Sequence, residues 1–453
     1  MDKYDVAVIG GGPAGYLAAE RLGDAGKKTV LIEKREVGGV CLNEGCIPTK
    51  ALLYSAKIYN GARKGSELGV ECGTASIKHG KVMEHKQNVV KTLVGGLSST
   101  LKQKNVKVIY AQAGIAKGPD GFVVSFNGET LTADNIILAT GSEPIAPNIP
   151  GISAGIKSGS VLTSREMLEL SDVPQRLVIV GGGVIGLEMA AYYNAAGSNV
   201  SVVEMLNAIG GAIEPEASSV LQHSLEKAGV KFYLSSKVCD VSGNTAKIER
   251  NGAVSDLPYD KLLLSVGRRP SLNIPGLSEM CVRTERGAIV SDEKCATNIP
   301  GLYAAGDVNG KYLLAHVAYR EAEVAVNNIL GIADEMDYSA VPGVIYTQPE
   351  VAFAGITEEQ AKNAGIRYRV RQSTINKSGR HIAEHGLSDG FIKLVLDEKT
   401  HTILGATLVS GYASEIIYAL TLMIQNKIPV ESIRRTIFPH PTVGEVIREV
   451  IFD

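Results

Sequence analysis

Tyr4-Asp5-Val6-Ala7-Val8-Ile9-Gly10-Gly11-Gly12-Pro13-Ala14-Gly15 opens the chain with a short apolar, β-branched run that breaks into glycines. The run predicts a buried strand. The glycines fit G-x-G-x-x-G, a helix is predicted over Tyr16–Asp24, and Gly26 closes it. Lys28-Thr29-Val30-Leu31-Ile32-Glu33 then reads as a second strand ending in an acid. In this order each part has a physical task. Gly10 permits the tight turn, Gly12 lets backbone approach a pyrophosphate, and Gly15 lets helix and strand pack closely. The helix N-terminus offers free N–H groups and a positive dipole end. Glu33 lies 23 residues past Gly10, near the spacing of about 20 expected of a ribose-binding acid.

The same unit returns 171 residues later. Leu177-Val178-Ile179-Val180 leads into Gly181-Gly182-Gly183-Val184-Ile185-Gly186, a predicted helix, and Val200-Ser201-Val202-Val203-Glu204. Gly181 and Glu204 are again 23 apart. Two such units can hold two dinucleotides. At the second, Glu204 can accept from a ribose 2′-OH and would repel a 2′-phosphate, and Met205 to Ala212 contain no Arg or Lys to hold one. NAD is therefore expected there rather than NADP. Asn135 to Ser142 and Leu262 to Arg269 form a further parallel pair, each an apolar strand running into a glycine turn.

Composition sets the wider bounds. The 453 residues suggest about three domains. Forty-six Lys and Arg against 48 Asp and Glu leave a formal charge of −2, which argues against a nucleic-acid or polybasic membrane binder. There is no run of 18 apolar residues, and no leader or transit pattern precedes Tyr4, so a cytoplasmic protein without a spanning helix is expected. Six cysteines are too few for a disulfide scaffold.

Two of those cysteines stand close in sequence: Cys41-Leu42-Asn43-Glu44-Gly45-Cys46-Ile47-Pro48-Thr49-Lys50. Residues five apart in a regular helix point well away from each other. Bringing the two sulfurs together needs irregular backbone, which Asn43 and Gly45 can supply. A metal site would need more ligands than this pair provides. Inert buried thiols are the plain alternative, and redox work is favoured by the position just after Glu33. Cys72, Cys239, Cys281 and Cys295 are scattered and are expected to be structural thiols. Near the C-terminus, His440-Pro441-Thr442-Val443-Gly444-Glu445 precedes a predicted last helix. Thr442 and Glu445 fit a capping box. His440 with Glu445 equally fits a base and the group that orients it.

These segments together resemble the class I pyridine nucleotide–disulfide oxidoreductases over nearly the whole chain. The cysteine segment is most similar to that of the branch oxidising dihydrolipoamide. Glutathione and trypanothione reductases usually carry two basic residues after the proline, where Thr49 and Lys50 stand here. The resemblance implies an α/β fold: two Rossmann-like dinucleotide-binding domains, for FAD (1–146) and NAD (147–269), a central domain completing the FAD site (270–338), and a C-terminal α+β dimerisation domain (339–453). It assigns to FAD Gly10, Gly12, Pro13, Ala14, Gly15, Glu33, Lys34, Gly39, Val40, Lys50, Gly114, Thr140, Gly141, Ser142, Asp307, Leu313, Leu314, Ala315 and His316. It assigns to NAD Gly181, Gly183, Val184, Ile185, Gly186, Glu188, Glu204, Val238 and Gly267, with Glu188 near Lys50 by the flavin.

The catalytic residues it implies are Cys41, Cys46, His440 and Glu445, with no metal. The histidine would come from the other subunit of a homodimer. Phe438 departs from the His-Ala often found before the catalytic segment. The implied reaction passes electrons from a protein-bound dihydrolipoamide through a Cys41–Cys46 disulfide and FAD to NAD, with a lipoyl domain or lipoyl carrier of a multienzyme complex as partner. A small-disulfide reductase of the same fold and a flavoprotein redox sensor without turnover are the alternatives.

Overall fold

A computed structural model describes residues 2–452. Strand β1 (Lys3–Ile9) is followed by helix α1 (Pro13–Asp24) and β2 (Thr29–Glu33). Next come α2 (Gly39–Glu44), α3 (Cys46–Lys64), α4 (His79–Gln103), β3 (Lys107–Tyr110), β4 (Gly114–Gly118), β5 (Gly121–Phe126) and β6 (Glu129–Leu138). The sheet runs β3-β2-β1-β6-β5-β4. β3, β2, β1 and β6 are parallel, and β5 and β4 fold back antiparallel. The parallel strands are apolar on both faces because both are covered, one by helices that include α1 and α4, the other by β4, β5 and the 272–289 segment. Val6, Val8 and Leu31 pack with Ala18 and Leu22 of α1, while Ala7, Ile9 and Ile32 pack on the opposite side.

β7 (Ser142–Pro144) leads out to α5 (Ile152–Ser158), β8 (Val161–Leu162) and α6 (Ser164–Met167). A second sheet is then built from β9 (Arg176–Val180), α7 (Val184–Ala195), β10 (Asn199–Val203), α8 (Pro215–Ala228) and β11 (Lys231–Tyr233). A three-stranded antiparallel sheet, β12 (Lys237–Ser242), β13 (Thr245–Arg250) and β14 (Ala253–Pro258), interrupts it before β15 (Lys261–Leu264) closes it. Its order is β11-β10-β9-β15-β8, all parallel. The two sheets agree in their centres. A glycine-turn strand (β1 or β9) lies between the strand that leads to the acid, Glu33 or Glu204, and a strand that runs into a glycine turn.

The chain then returns to the first sheet. β16 (Arg268–Pro270) pairs with β7, the short hairpin β17 (Thr284–Glu285) and β18 (Ala288–Ile289) follows, and β19 (Leu302–Ala304) adds to β6 in parallel. Helix α9 (Ala315–Ile329) packs its Val317, Ala318 and Ala322 into the α1 side of that sheet. The last unit is an antiparallel sheet of β20 (Gly343–Ile345), β21 (Glu350–Gly355), β22 (Tyr368–Thr374), β23 (Phe391–Asp397) and β24 (Ile403–Ser410), in the order β20-β21-β24-β23-β22. It carries α10 (Glu358–Asn363), α11 (Gly379–His385), α12 (Ala413–Gln425), α13 (Val430–Arg434) and α14 (Val446–Phe452). Its own core includes Leu394, Leu408, Leu420, Ile433 and Ile447.

Two expectations are corrected here. Thr442 and Glu445 do not form a capping box. α14 begins only at Val446, the Thr442 hydroxyl donates to the Pro439 carbonyl, and Glu445 is occupied by His440. Of the four scattered cysteines only Cys295 is buried, while Cys72 and Cys281 are exposed. Burial pushes the Cys295 thiol well above its usual range.

Candidate active site

Both glycine loops are built alike, bond for bond. Gly10 and Gly181 adopt φ of +103° and +106°, a left-handed conformation open to glycine. Gly10 N–H donates to the Ile32 carbonyl at 2.8 Å and Gly181 N–H to the Val203 carbonyl at 2.9 Å. A Cβ on Gly15 would lie 1.8 Å from the Gly10 carbonyl oxygen, and one on Gly186 would lie 2.2 Å from that of Gly181. The third glycine of each loop is thus required by packing. Each acid braces its loop. Glu33 Oε2 accepts from Gly11 N–H at 2.6 Å, and Oε1 from Arg35 N–H at 2.8 Å. Glu204 Oε2 accepts from Gly182 N–H at 2.7 Å, and Oε1 from Leu206 N–H at 2.8 Å.

These loops fit a dinucleotide's pyrophosphate. Gly12 and Gly183 are the N-caps of α1 and α7, and neither end is closed by a side-chain cap. A Cβ on Gly12 would come no nearer than 3.9 Å to a neighbour, and one on Gly183 would meet nothing within 4 Å. It would fill the space a phosphate needs above the N–H groups. Pro13 occupies the first turn of α1 beside buried Ala14, and Val184 and Ile185 open α7.

Around the first loop the other expected residues converge. Gly39 and Val40 open α2, and a Cβ on Gly39 would strike Gly12 Cα at 2.5 Å. Ala111 N–H bonds the Glu33 carbonyl, which brings the start of β4 at Gly114 to that edge. Thr140 donates to the Ser271 carbonyl at 2.7 Å, and Gly141 takes φ +71°. Ser142 donates to Asp307 Oδ2 at 2.5 Å. Burial pushes the Asp307 carboxyl up, against the pull of the Ser142 hydroxyl and the Arg268 charge. Lys34 Nζ stands 3.5 Å from Glu143, next to that turn. Leu313, Leu314, Ala315 and His316 form the entry to α9, where His316 Nε2 lies 2.8 Å from the Pro342 carbonyl. At the second loop, Gly267 has φ +109° and follows β15, while the Val238 side chain packs into the core beside Val203.

Between the two cradles lie the cysteines. α2 ends and α3 begins at Gly45, whose φ of −149° and ψ of −105° break the helix. The break is the irregular backbone expected between Cys41 and Cys46, and it brings the thiols into mutual hydrogen-bonding reach. The two thiols are pushed apart in acidity. Cys41 is raised, by its hydrogen bond to Cys46 and by burial. Cys46 is lowered to about 7, first by the Cys41 hydrogen bond and then by the Lys50 charge, against its own burial. Lys50 Nζ grips Glu188 at 2.9 and 3.1 Å and lies 4.1 Å from the centre of the Tyr346 ring. Tyr346 N–H in turn donates to Glu188 Oε1 at 3.1 Å. The α3 lysine and the α7 acid, assigned to different cofactors, thus form one part-buried pair beside the thiols.

His440 Nδ1 lies 2.8 Å from Glu445 Oε2, and the His440 side chain is 78% exposed. The carboxylate fixes one ring nitrogen of a largely exposed imidazole.

Residues 4–322 match the family profile described as pyridine nucleotide-disulphide oxidoreductase, and residues 341–451 match that family's dimerisation domain. The chain belongs to the pyridine nucleotide-disulphide oxidoreductase family. FAD and NAD(H) are the characteristic cofactors of this family, and its members are enzymes of disulfide redox chemistry. The chain is 40% identical over 459 residues to the dihydrolipoyl dehydrogenase of Chlorobaculum tepidum, covering 100% of this chain and 97% of that one. It is 38% identical over 451 residues to the dihydrolipoyl dehydrogenase of Chlamydia muridarum, covering 99% and 96%. Among solved structures, the HOCl-induced flavoprotein disulfide reductase RclA of Escherichia coli superposes with a TM-score of 0.87 at 26% identity over 99% of each chain.

Several neighbours of the thiols were not singled out by the motifs. Arg268 donates to both the Ser142 hydroxyl and carbonyl, at 2.8 and 2.7 Å. Tyr16 and Tyr319 hydrogen-bond through their hydroxyls. Glu44 holds two arginines. Only Arg268 had a signal, its place directly after Gly267.

Proposed function

We propose that this protein is a dihydrolipoyl dehydrogenase, oxidising a protein-bound dihydrolipoamide with NAD as final acceptor. The observation that carries the reading is the Cys41–Cys46 pair set beside the Lys50–Glu188 ion pair, between two dinucleotide cradles. The residue assignments and the partition at 146, 269 and 338 are part of this proposal, as are a cytoplasmic location and a lipoyl-bearing partner. No described helix is long and apolar enough to cross a membrane.

Gly12, Gly15, Glu33, Asp307 and the 140–142 turn would hold FAD, while Gly183, Gly186 and Glu204 would hold NAD. Bound in series, these cofactors supply a path that takes an electron pair from Cys46 and delivers it to the nicotinamide. The protein's own groups do the rest. In a homodimer, His440 of the partner subunit takes a proton from one substrate thiol, with Glu445 orienting the ring. The substrate thiolate attacks Cys41 Sγ and breaks the Cys41–Cys46 disulfide, giving a mixed disulfide. Cys46 leaves as a thiolate, the form its lowered pKa of about 7 favours. The second substrate thiol attacks the first substrate sulfur and passes its proton to the departing Cys41. The lipoyl disulfide is complete, and its two electrons rest on the cysteine pair.

The test is a steady-state assay of the purified holoprotein with dihydrolipoamide, run with NAD and with NADP, beside an NADH-driven assay with glutathione disulfide. Turnover of dihydrolipoamide with NAD, and little with glutathione disulfide, is expected. The reverse preference would make it a small-disulfide reductase. No turnover of either would make it a redox sensor.

A further inference from the structure

The two cysteines are anchored by different means. Cys46 opens the 19-residue α3, which buries Pro48, Thr49, Ala51, Leu52 and Ala56. Cys41 rides on α2, which has six residues and buries none of them. So short a helix is not stable alone, and none of its residues is fully buried, so polar ties add to its packing on α3 and α4 in placing it. Asn43 closes the segment on itself, donating to the carbonyls of Val37 at 3.0 Å and Gly39 at 2.9 Å. Glu44 ties it outward to both dinucleotide domains.

The ties come from both sides, forked from Arg35 and single from Arg165. Arg35 reaches Glu44 through Nη2 to Oε1 at 2.8 Å and Nη1 to Oε2 at 3.1 Å. Arg165 reaches it through Nη2 to Oε1 at 2.9 Å and places Nε 2.6 Å from Oε2. The Glu44 side chain is only 14% exposed. Arg35 follows Glu33 on the first sheet, and its amide is held by that acid. Arg165 lies in α6 of the second domain, whose start Thr163 and Glu166 lock in a capping box. Single surface ion pairs are worth little, but a guanidinium fork from Arg35 and a second guanidinium from Arg165 on one carboxylate fix a geometry.

We propose that Glu44, gripped by Arg35 and Arg165, is a positioning residue that sets the separation of Cys41 from Cys46 and so poises their dithiol–disulfide equilibrium. The inference rests on the reading of the pair as a redox centre. A disulfide needs its Cα atoms within about 4.4–6.8 Å. Freed of Glu44, Cys41 would sample wider positions while Cys46 stayed with α3. The pair would then close less readily, and the dithiol would gain.

The experiment equilibrates the purified holoprotein anaerobically with graded mixtures of reduced and oxidised dithiothreitol. Two electrons and two protons pass between that couple and the cysteines. The thiols are then trapped by alkylation and mapped by mass spectrometry. Glu44→Ala and Arg165→Met are each expected to shift the equilibrium toward the dithiol by about tenfold, or about 30 mV for a two-electron couple. Glu44→Gln, which keeps one acceptor, is expected to fall between them and the parent. Should Glu44→Ala fail to fold, Arg165→Met, changed at a half-exposed side chain, carries the test. Shifts under threefold in the variants that fold, or shifts toward the disulfide, would overturn the role of Glu44. A parent protein whose Cys41 and Cys46 never cycle would instead overturn the function proposed above.

Discussion

The loop around Gly12 and the loop around Gly183 start from the same pattern and end in different surroundings. In both, the segment after the acid folds back onto the glycines, with Gly38 N–H on the Gly11 carbonyl and Gly210 N–H on that of Gly182, each at 2.8 Å. Beyond that point they part. The first segment runs on into α2, presses Gly39 against Gly12 and delivers Cys41. The second leaves Met205 72% and Leu206 60% exposed, and nothing approaches Gly183. One motif thus builds a roofed cradle and an open one. On this account the roof retains the flavin next to the sulfurs, and the opening lets a pyridine nucleotide come and go.

The hardest blow to this comparison is to cut the relay beside the roofed cradle while leaving both cradles whole. Cys46→Ser is expected to keep bound FAD and to abolish dihydrolipoamide turnover, read by flavin absorbance and an NADH assay. Retained turnover would remove the pair from the path. Next in size is His440→Ala, expected to lower kcat for dihydrolipoamide by about 10²–10⁴, as for loss of a general base. A loss under threefold would leave His440 with no role in proton transfer.

The two glycines then separate the cradles directly. Gly39→Ala puts a side chain at φ +57° and against Gly12 Cα. It is expected to weaken FAD retention by about tenfold or more, measured by flavin release on dilution. Gly183→Ala meets no protein atom, so it is expected to leave flavin content unchanged and raise KM for NAD by about tenfold, by crowding the pyrophosphate. Equal effects of both on flavin would erase the distinction. The smallest effect expected is on acidity. A cation favours the thiolate, so Lys50→Met should raise the midpoint of Cys46 alkylation by iodoacetamide from about pH 7 by about one unit. An unmoved midpoint would assign the lowering to the Cys41 hydrogen bond alone.

What could be read from sequence was what repeats or sits close along the chain. The two strand–glycine–helix–strand–acid units are legible because each is a contiguous piece whose spacing is set by its own geometry. The break between Cys41 and Cys46 is legible because a regular helix could not join them. Partners brought together by topology leave no such trace. Arg165 meets Glu44 across 121 positions and Tyr319 meets Tyr16 across 303, with no period to reveal either. Local patterns can also mislead. Thr163 with Glu166 and Thr357 with Gln360 do form capping boxes. Thr442 with Glu445 has the same spacing, but its carboxylate is taken by His440. Nor does the residue type settle burial, since Cys72 and Cys281 lie in the open.

The most direct trial of the account is to give the oxidised holoprotein one equivalent of NADH without oxygen, alkylate, and count the newly labelled thiols by peptide. Label appearing on Cys41 and Cys46 together, and on no other cysteine, is the result it requires. Reduced flavin with both of those sulfurs still unlabelled would contradict it.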